Sequence, residues 1–278
     1  MKVAVVGHVE ACAFAGVDHV PVAGEIVEAE EGFEQAAGGG AVAAVQLARL
    51  AGECLFLTAL ADDRYGRAAK GDLEDLGLRV EAAWRPASQR RAFVHLDAAG
   101  ERTITVTGDR LAPALADPLP WDELESCDAV YLTAGDRGAA VAARKATRLV
   151  ATIRAKQALS DSGVELDVLV ASAGDRGERY SSGMIEPRPR AVVLTAGAEG
   201  GRIETADGTE IRWTAPPLPG PMVDAYGAGD SFAGGLTCGL AQGLPLEQAV
   251  ALGARCGAAC VTGRGPYEGQ LGGPLPVR

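Results

Sequence analysis

The chain has 278 residues and a net charge of −11, from 26 Lys and Arg against 37 Asp and Glu. Hydrophobic residues at 47% and charged residues at 23% exclude a disordered chain, and the absence of a Lys/Arg run with interleaved aromatics argues against nucleic-acid partners. No stretch of about eighteen apolar residues is present, which argues against a membrane span, and the six cysteines form no CxxC pair, so the expectation is a cytoplasmic protein with buried thiols.

In chain order, Lys2–Val6 reads as a buried strand ending at Gly7, and residues 9–30 as short strands and turns interrupted by Pro21 and Gly24. The glycine run Gly38–Gly40 precedes a helix over 41–50, then a strand over 54–57 and a helix over 68–78. Two strands, 92–96 and 103–106, flank a turn over 97–101. The second half alternates: strand 129–132, a long helix within 138–159, strand 168–171, strand 192–195, a turn-rich β stretch over 201–211, and helices over 229–240 and 246–260. An irregular tail over 263–278 closes the chain. Strands alternating with helices imply a largely parallel sheet covered on both faces, an α/β architecture.

The segment Val223–Gly235, VDAYGAGDSFAGG, concentrates the chemistry. Gly227-Ala228-Gly229 permits a tight turn just before a helix of small residues, where amides and the helix dipole favour a bound phosphate. Asp230 stands at the helix start, placed to take a proton from a hydroxyl while the turn holds a transferring phosphoryl group. Without further context the same residues also describe an ordinary helix start with an N-terminal carboxylate.

This run resembles the C-terminal signature of the ribokinase-like (PfkB-type) carbohydrate kinases, Asp-Thr-x-Gly-Ala-Gly-Asp, with Ala225 in place of the threonine. The resemblance implies a single domain over 1–278, a ribokinase-like three-layer sandwich with a mainly parallel central sheet and a small β lid from about 11–27 and 91–105. It implies an ATP-dependent phosphotransferase acting on a hydroxyl of a sugar or sugar-like alcohol, with Asp230 as general base and Gly227, Ala228 and Gly229 as the anion hole. A nucleoside kinase and a non-catalytic nucleotide- or metabolite-binding protein are the alternatives. On the nucleotide side, Thr195, Gly197 and Gly200 would border ATP, Asp224 would organise the metal and phosphate region, and Cys256 would leave room for the adenine. Mg2+ is implied, a monovalent cation such as K+ is allowed, and the best oligomer is a homodimer through the lid.

On the acceptor side, Gly38, Gly39 and Gly40 resemble the first family signature, whose glycines let substrate hydroxyls approach the backbone. Three departures fall where the family grips its ligands. Val42 stands where an asparagine is usual, and Cys12 where an aspartate is usual; neither supplies an amide or carboxylate bond. Near the magnesium, Ser172 and Asp175 stand for an Asn-x-x-Glu motif, with Glu178 nearby. Glu10, His8 and Asp18 are candidate replacement polar contacts, and Arg91 or Arg102 could neutralise an acidic product.

Overall fold

The computed structural model describes residues 1–160 and 162–272. The central sheet contains nine of the thirteen strands: β1 (Val3–Val6), β4 (Leu55–Ala61), β5 (Arg79–Arg85), β8 (Ala129–Leu132), β9 (Arg148–Thr152), β10 (Val168–Ser172), β11 (Ala191–Thr195), β12 (Gly201–Thr205) and β13 (Glu210–Trp213). Their order is β13-β12-β11-β10-β9-β8-β1-β4-β5. The run from β11 to β5 is parallel throughout, and β12 and β13 add an antiparallel edge.

The side chains of β1 explain the three layers. Val3 and Val5 point into one core with helices α1 (Gly39–Ala51), α2 (Arg64–Asp75), α5 (Ala228–Ala241) and α6 (Leu246–Cys260). Ala4 and Val6 point into the opposite core, with α3 (Arg137–Ala143) and α4 (Lys156–Ser160). Period-two alternation in a strand buried on both faces reads as an unbroken apolar run, which is why VAVV announces itself in the sequence. Helix α2 begins at a specific stop: Asp63 Oδ1 accepts the N–H groups of Tyr65 at 3.0 Å and Gly66 at 2.9 Å, a cap worth about 1 kcal/mol.

A second sheet of four strands has the order β3-β2-β6-β7: β2 (Glu10–Gly16), β3 (Glu31–Ala37), β6 (Arg91–Leu96) and β7 (Arg102–Thr107). Strand β2 runs antiparallel to β3 and parallel to β6. Strand β7 is exposed along its whole length. Phe14 of β2 stacks on Phe33 of β3 at 4.6 Å between ring centroids, tying the two strands together.

Three expectations need correction. The early strands do not occupy 11–27: β2 ends at Gly16, residues 17–30 contain no strand, and its partner is β3. The long helix within 138–159 is instead α3, then β9, then α4. Leu149, Val150 and Ala151 are completely buried between β8 and β10, and this tertiary pairing outweighs the helix propensity of the alanine-rich surroundings. Strand β5 was not expected at all. Of the tail, residues 263–272 carry neither helix nor strand, as expected, and 273–278 lie outside the described residues.

Candidate active site

Strand β1 is flanked by β4 on one side and β8 on the other, so the chain winds outward from it in both directions. Open α/β sheets leave a crevice at the carboxyl ends of the strands at such a switch point. Gly7 follows β1 there, and a Cβ on it would collide with Thr133 Oγ1 just beyond β8. The crevice is therefore floored by backbone brought close together.

Helix α5 points its first turn into this crevice. Gly227 caps it at φ +80°, a left-handed conformation that favours glycine, and a Cβ there would press on Val42 Cγ1 at 3.0 Å and Pro266 Cβ at 3.1 Å. The first bond of the helix runs from Ser231 N–H to Gly227 C=O at 2.8 Å, leaving the N–H groups of Ala228, Gly229 and Asp230 without intrahelical acceptors. Nothing lies within 4 Å of where a Gly229 Cβ would be, so the turn opens to the crevice. Free amides at the start of a 14-residue helix favour a bound anion.

Asp224 shapes that turn from beneath. Its carboxylate is buried, with Oδ1 accepting Tyr226 N–H at 2.7 Å and Oδ2 accepting Gly265 N–H at 3.0 Å. It thereby fastens the turn to the segment after α6. Burial pushes its pKa up while the two amides pull it down.

Asp230 is partly buried at the mouth of the turn. Burial, reinforced by the charge of Glu178, pushes its pKa up to about 7, against the opposing pull of Arg154 and Arg102. A carboxylate poised near neutrality at the end of a cleft is suited to accepting a proton.

The three glycines at the start of α1 allow close approach to this carboxylate. A Cβ on Gly39 would lie 2.8 Å from Asp230 Oδ1 and 3.7 Å from His8 Cε1. One on Gly40 would lie 2.7 Å from the His8 carbonyl oxygen, and Gly38, at φ +88°, sits against Glu10. His8 is buried with Nδ1 unpartnered. Burial, followed by the charges of Arg110, Arg90 and Arg154, pushes its pKa down to about 3. Its neutral ring lies 3.9 Å from Glu10 Oε1, which accepts Arg90 Nε at 2.7 Å.

The two apolar departures lie in the core. Val42 is completely buried, and its carbonyl accepts Gln270 Nε2 at 3.0 Å. Cys12 is buried with Sγ 3.4 Å from the Tyr226 hydroxyl, and burial pushes its thiol up to about 12. Asp18 and His19 pair on an exposed loop, and His95 lies on the small sheet.

At the ends of β9 and β10, Arg154 organises the acidic loop. Its Nη2 donates to Asp175 Oδ2 at 2.6 Å, and its Nε donates to Glu178. Asp175 Oδ1 accepts Gly177 N–H at 2.7 Å, and Ser172 Oγ accepts Asp175 N–H at 3.3 Å. Among the described residues no three His, Cys, Asp or Glu side chains converge as a metal-ligand group. Magnesium commonly binds through one or two carboxylates, water and substrate phosphates, and Asp175 retains lone pairs for a water-mediated contact of that kind.

Of the nucleotide-side candidates, Thr195, Gly197 and Gly200 stand at the end of β11. Thr195 donates its hydroxyl to Ala171 C=O at 3.3 Å. Gly197 and Gly200 form the left-handed turn into β12, and a Cβ on Gly200 would overlap the Trp213 carbonyl. Trp213 stacks on Phe232 of α5, with centroids 5.6 Å apart. Cys256 is completely buried between α5 and α6, its Sγ facing Gly235.

Several residues of the crevice carry no motif. Arg90 leads into β6, Arg102 begins β7, and Arg110 follows β7. Arg102 Nη1 donates to Ala225 C=O at 3.2 Å, beside a backbone bond from Ala225 N–H to Gly100 C=O at 3.2 Å. The turn of the β6–β7 hairpin thus rests on the segment that leads into the anion turn.

The model of the pfkB family of carbohydrate kinases matches residues 1–176 and 165–271. The chain belongs to the pfkB family of carbohydrate kinases. It is 36% identical over 104 residues to the fructoselysine 6-kinase of Escherichia coli, a match spanning 37% of this chain and 39% of that protein. It is 27% identical to the aminoimidazole riboside kinase of Salmonella typhimurium, over 92% of this chain and 91% of that one. Among solved structures, the ribokinase of Thermotoga maritima superposes with a TM-score of 0.77 at 21% identity, covering 98% of this chain and 96% of that one. The fold expectation, a three-layer α/β sandwich of ribokinase type with a small second sheet, therefore stands.

Proposed function

We propose that the protein transfers the γ-phosphoryl group of ATP to a hydroxyl of a sugar or sugar-like alcohol, with Asp230 as general base. The observation that carries this reading is the juxtaposition at the start of α5: free amides for an anion, and beside them a carboxylate with a pKa near 7. Similarity to a ribokinase of Arabidopsis thaliana solved with ribose and ATP supports the same pairing of ligands.

In this reading the acceptor lies against Gly39 and the terminal phosphates lie at Ala228–Asp230. Asp230 takes the hydroxyl proton as the oxygen bonds to the γ-phosphorus. The bond from that phosphorus to the bridging oxygen breaks, and ADP leaves with the electron pair. The helix amides stabilise charge on the transferring group. Magnesium, when bound, would screen the nucleotide's phosphates, with Asp175 holding it through water and Asp224 shaping the turn. The sheet β3-β2-β6-β7 is the lid of this site, and its closure over the acceptor excludes water.

An apolar Cys12 and Val42 could border a nucleoside base only if exposed to the acceptor, but both are buried, which favours the sugar reading. The test is acceptor-dependent ADP release with ATP and magnesium across sugars, polyols, sugar phosphates and nucleosides. One acceptor class should give turnover that Asp230→Asn abolishes; ATP binding without turnover on any acceptor would point to a binding protein instead.

A further inference from the structure

Arg110 is out of place for a surface residue. It is partly buried, and it is desolvated enough for burial to pull its pKa down. Yet among the described residues no carboxylate, carbonyl or hydroxyl accepts from it. Among the described residues it is the one partly buried arginine with neither a hydrogen-bond acceptor nor an aromatic ring. Arg85, Arg90, Arg144 and Arg202 all have carboxylate partners, and Arg91 lies over the rings of Tyr65 and Phe93.

Its surroundings are cationic. The charges acting on it come from Arg90, Glu10 and Arg154, so two of the three are repulsive. Arg90 is anchored by Glu10 at 2.7 Å and by Gly108 C=O at 2.9 Å, two residues before Arg110. Arg154 is anchored by Asp175 and Glu178. Each anchored arginine keeps donors beyond those bonds, since a guanidinium carries five. A chain of contacts leads from Arg90 to the space beside Asp230: Arg90 bonds Glu10, Glu10 Oε1 lies 3.9 Å from His8 Nε2, and a Cβ on Gly39 would lie 3.7 Å from His8 Cε1 and 2.8 Å from Asp230 Oδ1. The cationic group therefore borders the space assigned to the acceptor.

A desolvated guanidinium among like charges is costly unless an anion completes it. We infer that the acceptor is itself anionic, carrying a phosphate or carboxylate that Arg110 binds with Arg90 and Arg154 as flanking cations. This rests on the kinase reading and narrows its substrate to sugar phosphates and sugar acids. A planar fork suits either group, and a bidentate contact from a partly buried guanidinium discriminates against an uncharged analogue.

The test compares matched acceptors: ribose with ribose 5-phosphate, fructose with fructose 6-phosphate, and glucose with gluconate. ADP release should favour a charged member over its neutral partner by at least about 100-fold in kcat/KM. Whether phosphate or carboxylate wins names the source of the charge. Arg110→Ala should raise KM for that acceptor about 10- to 100-fold with a smaller change in kcat, and Arg110→Lys should restore part of it. Turnover best on neutral members, or an Arg110→Ala variant with unchanged preference, overturns the inference and leaves the kinase reading intact. Absence of turnover on every member counts against the kinase reading. Calorimetric binding of the same panel to Asp230→Asn protein with ADP then decides the inference separately: selective heat from charged members supports it, and equal or absent heat overturns it.

Discussion

Gly39 and Asp230, 191 positions apart in the chain, are packed so closely that a methyl group on the glycine would stand 2.8 Å from the carboxylate oxygen. The first turns of α1 and α5 thus meet at Asp230, and the glycine provides the clearance there. Gly40, one position on, faces the His8 backbone instead. Adjacent glycines therefore serve two purposes, one at the site and one in the frame.

These two purposes separate experimentally. Gly39→Ala should displace Asp230 and lower kcat by about 100-fold, because misplacement near 1 Å costs that much in an oriented reaction. Gly40→Ala should act on stability, by about 2 kcal/mol or more, since its Cβ meets main chain that cannot swing aside. Steady-state kinetics beside thermal melts of both variants check the division.

Asp230→Asn should lower turnover by about 10³-fold or more, consistent with removal of a general base. In the parent enzyme kcat/KM should rise with pH and level off above about 7, because the base works only when deprotonated. The linkage runs the other way for stability. The folded chain holds this proton to about pH 7, whereas an ordinary aspartate loses it near 3.8, so the folded state weakens as pH climbs between those values. The Asn variant should therefore melt above the parent at pH 8, with the difference shrinking toward pH 4.

The neighbours of Asp230 should move that profile in opposite directions. Glu178→Gln removes a negative charge that raises the pKa of Asp230, so the rising limb should shift to lower pH. Arg154→Met removes a charge that lowers it, so the limb should shift to higher pH. Profiles of kcat/KM for both variants check the signs; shifts in the same direction would contradict the arrangement.

Asp224→Ala removes the carboxylate that accepts the Tyr226 and Gly265 amides and leaves both N–H groups buried without acceptors. A destabilisation of about 2–4 kcal/mol is expected, together with weaker ATP binding through a loosened anion turn. Chemical denaturation and nucleotide titration of the variant measure the two effects.

The parts of the site legible in the sequence are those written in consecutive residues. Gly227–Asp230 and Gly38–Gly40 are short runs that by spacing also suit an ordinary helix start, and it is their resemblance to family signatures that singles them out. Arg90, Arg110 and Arg154 come from three different strand ends, and nothing in their local sequence distinguishes them from solvated arginines. Strand β3 was hidden for another reason. Its sequence, EGFEQAA, is half exposed and carries two glutamates and a glycine, so it lacks the apolar alternation of a buried strand. Strand β9 was hidden by alanines that suit a helix equally well. In both strands pairing with a neighbour settled what propensity left open.

The hydrogen bonds from Ala225 and Arg102 that fasten the β6–β7 hairpin have a consequence for timing. Ala225 is the residue immediately after Asp224 and lies three positions before the first free amide of the anion turn. The hairpin tip and the phosphate cradle are consequently ends of one short lever, with Asp224 as its fulcrum. In the proposed kinase, a hairpin that lifts would tug on the turn and a turn that shifts would loosen the hairpin, coupling access to the acceptor with grip on the phosphate.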